Sequence, residues 1–142
     1  MGGRASRSKG QRGEREFADM LSAAFPDMLR VRRNIDQAYD GGEDITPQMV
    51  PGFSIEVKRQ EGLNLNAWWQ QAVTQAMDRS IYDNDECVPA LAYRQNHQQW
   101  RIRLPLRLLV PYARPDHTVE VYFEAFVSII KHQQWIRYGR RI

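Results

Sequence analysis

The segment FSIEVKRQ, residues 53–60, constrains the fold more than any other part of the chain. Its β-branched and apolar residues predict a buried strand. Because side chains on a strand alternate between its two faces, Glu56 and Lys58 share one face and Val57 points the other way, into the core. Charges in such a position are costly without a partner. The segment therefore predicts a buried strand with a polar site on one face.

A second carboxylate is predicted to face Glu56. Residues 46–52, TPQMVPG, contain two prolines and a glycine, which favour a turn. A hairpin centred near Val50 sets Asp44 opposite Glu56, and paired strand positions lie about 4.5–5.5 Å apart at Cβ. Two facing carboxylates repel each other unless a proton or a cation lies between them. With Lys58 beside them, they predict a site for a divalent cation, and hard oxygen ligands favour Mg²⁺, with Mn²⁺ as a substitute.

A plainer interpretation exists for the same residues. Glu-x-Lys is a common pattern, and Glu56 and Lys58 alone would also fit a surface ion pair, with Asp44 only capping a turn. Sequence spacing alone leaves these two interpretations open.

The predicted elements alternate between helices and strands. Apolar residues at helical spacing predict helices over 14–25 and 65–80, the second with Trp69, Ala72, Val73 and Ala76 on its inner face. Alternating or continuous apolar patterns predict strands over 28–35, 44–45, 53–58, 88–94 and 99–105, and a strand running into a helix from Thr118. This order predicts an α/β (α+β) fold, with a central mixed β-sheet flanked by helices.

Basic residues are concentrated at the two ends of the chain. Residues 1–12 are Gly, Arg, Ser and Lys with almost no apolar residue, which predicts a flexible basic arm before one domain over 13–142. The net charge is only +3, but Lys131, Arg137, Arg140 and Arg141 follow the last acidic residue. This asymmetry favours a polyanionic partner, whereas basic tails that only maintain solubility are the alternative.

Several other chemistries are not supported by the sequence. The single cysteine, Cys87, cannot form an internal disulfide, which fits an intracellular, cytoplasmic protein. The apolar stretches are far shorter than the roughly 20 residues of a membrane span. We therefore expect no membrane partner. No glycine-rich phosphate loop is present, so we expect no nucleotide cofactor. The histidines lack the spacing of zinc ligands.

The order of these parts resembles the PD-(D/E)xK nuclease superfamily, and is most similar to archaeal-type Holliday junction resolvases. The resemblance covers roughly 9–104 and is carried by SKGQRGEREFADML, EDI, IEVK, PALAYR and QQWRI. Each motif is common, but their order and spacing together are specific. The chain departs from the superfamily pattern at Glu43, which stands where the name has proline, and in QAYDGG, which replaces a serine-rich segment.

The resemblance implies roles for the acidic residues. It implies that Asp44 and Glu56 are direct metal ligands, with the Val57 carbonyl as a further ligand. Glu14, on the first helix, would help to bind or orient the metal and its water. Lys58 would serve the attacking water.

The resemblance also implies residues beyond the metal site. Many members of the superfamily carry a glutamine on the helix after E-x-K, and Gln71 is the candidate here, although a solvated helix face is an equal alternative. An arginine at the end of the strand after the first helix recurs in these resolvases, and Arg33 is the first candidate for it. The residues expected to contact DNA are Arg7, Lys9, Arg12, Arg15, Arg32, Arg33 and Arg59.

The function implied is a Mg²⁺-dependent, structure-selective DNA endonuclease that cuts branched DNA, a Holliday junction resolvase leaving a 5′-phosphate and a 3′-hydroxyl. Symmetric cutting implies a homodimer, for which 119–130 is a candidate interface unless it simply closes the core. The small size would suit a phage protein acting in a bacterial host. The alternatives are a nickase or repair nuclease on other DNA structures, and a DNA-binding module of the same fold without catalysis.

Overall fold

The computed structural model describes residues 3–26 and 50–138. They form three helices, four strands and one 3₁₀ turn. The helices are α1 (Gly3–Ala24), α2 (Leu65–Asp83) and α3 (Phe123–Tyr138); the strands are β1 (Phe53–Arg59), β2 (Val88–Arg94), β3 (Arg101–Pro105) and β4 (Thr118–Tyr122); the 3₁₀ turn is Leu106–Leu108. The strands predicted over 28–35 and 44–45 lie outside the described residues.

The four strands form one mixed sheet in the order β1-β2-β3-β4. β1 and β2 run parallel, whereas β2–β3 and β3–β4 are antiparallel. β2 and β3 are joined by a tight hairpin in which the backbone N–H of Gln98 donates to the carbonyl of Gln95 at 3.2 Å. The predicted α+β class, with a mixed sheet flanked by helices, is confirmed.

The main core lies between the sheet and the helices α1 and α3. The apolar face of β1 contributes Ile55 and Val57, and α1 contributes Phe17 and Leu21, all at most 4 % exposed. The other buried members of this cluster include Ala90, Ala92, Trp100, Ile102, Leu104, Phe126 and Ile130. This packing fixes which face of the sheet is apolar, and so which face carries the polar side chains of β1.

The second helix, α2, covers the opposite face of the sheet. Trp68 and Ala72 pack against Leu91 and Tyr93 of β2. Ala72 and Ala76 are buried as predicted, but Trp68 is the buried tryptophan of the pair, and Trp69 and Val73 are only half-buried. The reason is the helical period: positions 68, 72 and 76 form one i, i+4, i+8 stripe, and that stripe faces the sheet.

The first helix begins earlier than the sequence predicts. α1 starts at Gly3 instead of Glu14, so residues 3–12, predicted as a flexible arm, are helical in the structure. Ala, Arg, Lys and Gln in this segment favour a helix by intrinsic propensity, although Ser6, Ser8 and Gly10 oppose it. The helix ends at Ala24, just before Pro26, as predicted. The single domain over 13–142 stays a prediction.

The segment 119–130 closes the core. The predicted strand running into a helix is confirmed as β4 and α3. Phe126 and Ile130 are fully buried, and Val119 and Val121 pack against the same cluster. Its apolar side chains therefore belong to the chain's own core, and the homodimer stays a prediction. Among the described helices, none combines the length and apolar character that a bilayer span requires.

The turn that leads into β1 depends on a glycine. The backbone N–H of Phe53 donates to the carbonyl of Val50 at 3.2 Å, with Pro51 and Gly52 between them and Gly52 at φ 88°. This is the chemistry of a type II turn, whose third residue needs a positive φ. The Gln134 side chain of α3 donates to the Pro51 carbonyl at 2.6 Å, which ties the turn to the core.

We expect Gly52→Ala to lower the free energy of unfolding by about 1–2 kcal/mol, because an L side chain at this φ is strained. Gly62→Ala is the matched control, since a Cβ there meets no atom within 4 Å. Urea unfolding of both variants measures the difference. Equal midpoints for the two variants would show that the turn does not hold Gly52 in the left-handed region.

Candidate active site

The polar face of β1 carries a buried carboxylate. Glu56 is 3 % exposed, and its Oε1 lies 3.2 Å from the Nζ of Lys58, whose side chain is 21 % exposed. Val57 points to the opposite side and is buried in the core. The prediction that Glu56 and Lys58 share one face, with Val57 on the other, is confirmed.

Helix α2 brings a glutamine to the same carboxylate. Because Trp68 and Ala72 anchor the helix on the sheet, Gln71 lies beside the buried stripe, and its Nε2 donates to Glu56 Oε1 at 3.1 Å. Gln70 and Gln71 are both exposed, and the contact with Glu56 distinguishes Gln71. Gln71 was one of several glutamines on this helix, and the structure places it in contact with Glu56. Its role in catalysis stays a prediction.

The surroundings of Glu56 fit a cation-binding carboxylate. Burial disfavours the charged form of a carboxyl group, and an ammonium and an amide donor counter that effect. Both act on Oε1. A fixed, buried carboxylate is a hard oxygen ligand of the kind that Mg²⁺ prefers. The donor chemistry therefore fits a divalent ion.

The complete ligand set reaches beyond the described residues. Asp44 lies outside them, and within 3–26 and 50–138 no group of three His, Cys, Asp or Glu side chains is arranged to hold a metal. The pairing of Asp44 with Glu56, and the ligation by Val57, stay predictions.

Glu14 is carried by α1 and is half-buried. α1 packs on the apolar face of β1, which is opposite to the face of Glu56. At the preceding residue the helix and the strand approach closely, since a Cβ at Gly13 would lie 2.7 Å from the Cβ of Arg59. Glu14 is thus held near the end of β1, and its convergence with Glu56 on one cation stays a prediction.

An ion-pair network that sequence analysis did not identify locks α1 onto the sheet. Glu16 accepts a hydrogen bond from the indole N–H of Trp100 at 3.0 Å, and its carboxylate lies 3.2 Å from Arg94 and 3.8 Å from Arg59. Arg59, a predicted DNA contact, is therefore engaged within the protein. In the sequence Glu16 stands out only as part of the GEREF segment, directly before the buried Phe17, and its partners are distant in sequence.

The other predicted DNA contacts are distributed along α1 and beyond. Arg12 and Arg15 are exposed on α1, and Arg7 and Lys9 lie within the same helix. Arg32 and Arg33 fall outside the described residues. DNA binding by this set stays a prediction.

A second polar cluster that sequence analysis missed lies on the same sheet face as Glu56. The hydroxyl of Tyr93 donates to the carboxylate of Glu120, and Arg103 Nη2 lies 3.5 Å from Glu120 Oε1. Burial, followed by the hydrogen bond to Glu120, raises the pKa of Tyr93, so its hydroxyl stays protonated as a donor. These residues come from three different strands, and of the three only Tyr93 falls within a quoted motif, PALAYR.

Comparison with protein families identifies the chain's relatives. Residues 5–136 match the family described as "Phage putative PDDEXK endonuclease". The chain belongs to this family. The predicted membership in the PD-(D/E)xK superfamily is thereby confirmed, and the mixed four-stranded sheet with its helices is consistent with the restriction-endonuclease-like fold. Comparison with curated proteins and with solved structures gave no match.

Family membership indicates a nuclease. Nucleases of this superfamily typically use divalent metals, which agrees with the chemistry of the Glu56 site. The match extends past Leu104, where the resemblance seen in the sequence ended, and includes β4 and most of α3. The special likeness to archaeal-type Holliday junction resolvases stays a prediction.

Proposed function

We propose that this protein is a Mg²⁺-dependent, structure-selective endonuclease that hydrolyses phosphodiesters in branched DNA, with the four-way Holliday junction as its substrate. The observation that carries the proposal is the buried Glu56 carboxylate, held by Lys58 and Gln71 on the polar face of an otherwise apolar strand. A buried carboxylate adds little to stability even when it is paired, because the pairing barely offsets its desolvation, so stability alone does not account for Glu56 at this position.

The chain's own residues supply the parts of a hydrolytic site. Glu56, Asp44 and Glu14 would hold the cation, which when bound lowers the pKa of water and polarises a phosphoryl oxygen. Lys58 carries its positive charge next to Glu56, where it can stabilise negative charge that develops on the phosphate. Gln71 donates to Glu56 and fixes the orientation of the carboxylate. Water attacks phosphorus, the bond to the 3′ oxygen breaks, and a 5′-phosphate and a 3′-hydroxyl result.

DNA binding is supported by charge, and selectivity for branched DNA is supported by the resemblance of the motifs. The exposed Arg12 and Arg15 on α1 can contact phosphates, which position a nucleic acid without reading its sequence. Resolving a four-way junction needs two symmetric cuts, so the active unit would be a homodimer with two sites. Its place of action would be the cytoplasm of a bacterial host.

The test compares an immobile four-way junction with a linear duplex of the same sequence, in Mg²⁺, in Mn²⁺ and with a chelator. We expect paired, symmetric nicks near the branch point that require the metal. Equal cleavage of the duplex would favour a nickase or repair nuclease of broader range. Binding without any cleavage in either metal would favour a non-catalytic DNA-binding module. A protein that stays monomeric on the junction would contradict the homodimer.

We expect Asp44→Asn to reduce junction cleavage on the order of 10²–10³-fold, because it removes one of the facing carboxylates while keeping the shape of the side chain. Junction affinity in chelator should stay near the wild-type value. Asp116→Asn is the matched control, since Asp116 is 67 % exposed and only pairs with Arg114. Wild-type cleavage by Asp44→Asn would remove Asp44 from the site.

A further inference from the structure

The strand register extends the Glu56 face into a continuous row of side chains. Lys58 pairs with Tyr93 of β2, Tyr93 pairs with Arg101 of β3, and Arg101 pairs with Tyr122 of β4. Side chains of paired positions lie on the same face of a sheet. A row of cationic and aromatic side chains therefore crosses the sheet from the candidate active site to β4.

A second row runs beside the first. Glu56 pairs with Leu91, Leu91 with Arg103, and Arg103 with Glu120. The contact of Tyr93 with Glu120 joins the two rows across β3. We call the four residues Tyr93, Arg101, Arg103 and Tyr122 the basic strip.

Part of the basic strip is exposed to solvent on β3 and β4, beyond the strands on which α2 packs. α2 packs on β1 and β2, and it buries Leu91 and Tyr93 against Trp68. Beyond it, Arg101 is exposed and Tyr122 is 51 % exposed. The sheet face that contains the buried Glu56 therefore ends, toward β4, in exposed cationic and aromatic groups.

The charges of the strip suit an anionic ligand. Glu120 is its acidic neighbour, and this carboxylate is engaged by the Tyr93 hydroxyl and by Arg103. Arg101 lies beside the Tyr93 hydroxyl and remains exposed at the surface. Exposed guanidinium groups pair well with phosphate oxygens because their N–H donors match the geometry of the anion.

We infer that the basic strip binds the phosphodiester backbone of the DNA strand on one side of the phosphate that is cut at Glu56. This inference rests on the proposed function, because it takes the substrate to be DNA. Three strand spacings separate β1 from β4, about 14 Å in all. At 3.4 Å per nucleotide of a duplex strand, the distance from Glu56 on β1 to Tyr122 on β4 corresponds to about four nucleotide steps. Arg101 contacts phosphate, and Arg103 and Glu120 hold the Tyr93 side of the strip in place.

The test measures the salt dependence of binding. A fluorescein-labelled four-way junction is titrated with the full-length protein in chelator at several NaCl concentrations, and binding is followed by anisotropy. Arg101→Gln is expected to reduce the slope of log K against log[salt] by about 0.9, the value for one lost phosphate contact. Arg101→Lys keeps the charge and should restore most of the slope. Arg114→Gln is the matched control, because Arg114 is 73 % exposed and lies at the far end of the β3–β4 pair.

Glu120→Gln is expected to act in the opposite direction and to raise junction affinity, since it removes the negative charge next to Arg103. Thermal unfolding of each variant checks that the fold is kept. A slope for Arg101→Gln equal to those of the wild type and Arg114→Gln would overturn the inference. So would an equal loss in Arg101→Gln and Arg101→Lys, which would indicate a structural role instead of a phosphate contact.

The two proposals fail in different ways. If the wild-type protein binds with a slope that depends on Arg101 but never cuts in Mg²⁺ or Mn²⁺, the nuclease proposal fails and the basic strip stands. If it cuts the junction while Arg101→Gln binds with the wild-type slope, the strip fails and the nuclease proposal stands.

Discussion

Replacing Glu56 with glutamine is expected to reduce DNA cleavage on the order of 10³-fold while leaving the protein folded and able to bind the junction. The change removes a hard oxygen ligand and its charge from the site but keeps the size of the side chain. Because the carboxylate is 3 % exposed, its ionised form already carries a desolvation cost, and the neutral amide avoids it. Lys58, at 21 % exposed, can turn its ammonium toward water.

A loss of cleavage without a loss of folding or of junction binding separates a catalytic role for Glu56 from a structural one. We expect the free energy of unfolding to change by no more than about 1–2 kcal/mol, because the partner ammonium is not left buried. Glu86→Gln is the control, since Glu86 is 71 % exposed and pairs only loosely with Arg107, at 3.7 Å. Cleavage rates, junction affinity in chelator and urea unfolding are measured on the same preparations. If Glu56→Gln cuts at more than a tenth of the wild-type rate, the carboxylate is not part of the chemistry.

Much of the fold follows from local sequence patterns. β1 has a clear apolar pattern and appears within one residue of its predicted bounds, and the strand running into a helix predicted from Thr118 is present as β4 and α3. The start of α1 does not follow in this way. A helix is extended by intrinsic propensity as well as by an apolar stripe, and the polar residues before Glu14 carry only the first of these signals. The choice of Trp68 over Trp69 as the buried tryptophan depended on the rotation of α2 against β2, which tertiary packing decides.

In the candidate site, too, some residues could be placed from the local sequence and others depended on tertiary packing. Glu56, Val57 and Lys58 are neighbours in one strand, so alternation alone placed them correctly. Gln71 could be named only as one of several glutamines, because its contact with Glu56 depends on how α2 docks. The Tyr93, Arg103 and Glu120 cluster depends on the register of three strands, and the Glu16 network joins residues 84 positions apart. Contacts of that kind leave no local pattern in a single sequence.

Phe17→Ala is expected to lower the free energy of unfolding by about 3–5 kcal/mol, the largest effect on stability that we predict. Phe17 is fully buried, and its ring centroid lies 5.0 Å from that of Trp100, 5.6 Å from Phe123 and 6.4 Å from Phe126. It therefore joins α1 to both the sheet and α3. The loss would be a large fraction of the roughly 5–15 kcal/mol that stabilises a typical domain.

The shape of the urea unfolding transition of Phe17→Ala shows whether α1 unfolds together with the sheet or separately from it. Tyr112→Ala is the control, because Tyr112 is completely exposed and such changes usually stay within about 0.5 kcal/mol. If α1 and the sheet form one cooperative unit, Phe17→Ala lowers the urea midpoint without changing the slope of the transition. A separate early transition would indicate that α1 detaches first, and cleavage should then fall with it, since α1 carries Glu14. An unchanged midpoint would contradict the docking of α1 through Phe17.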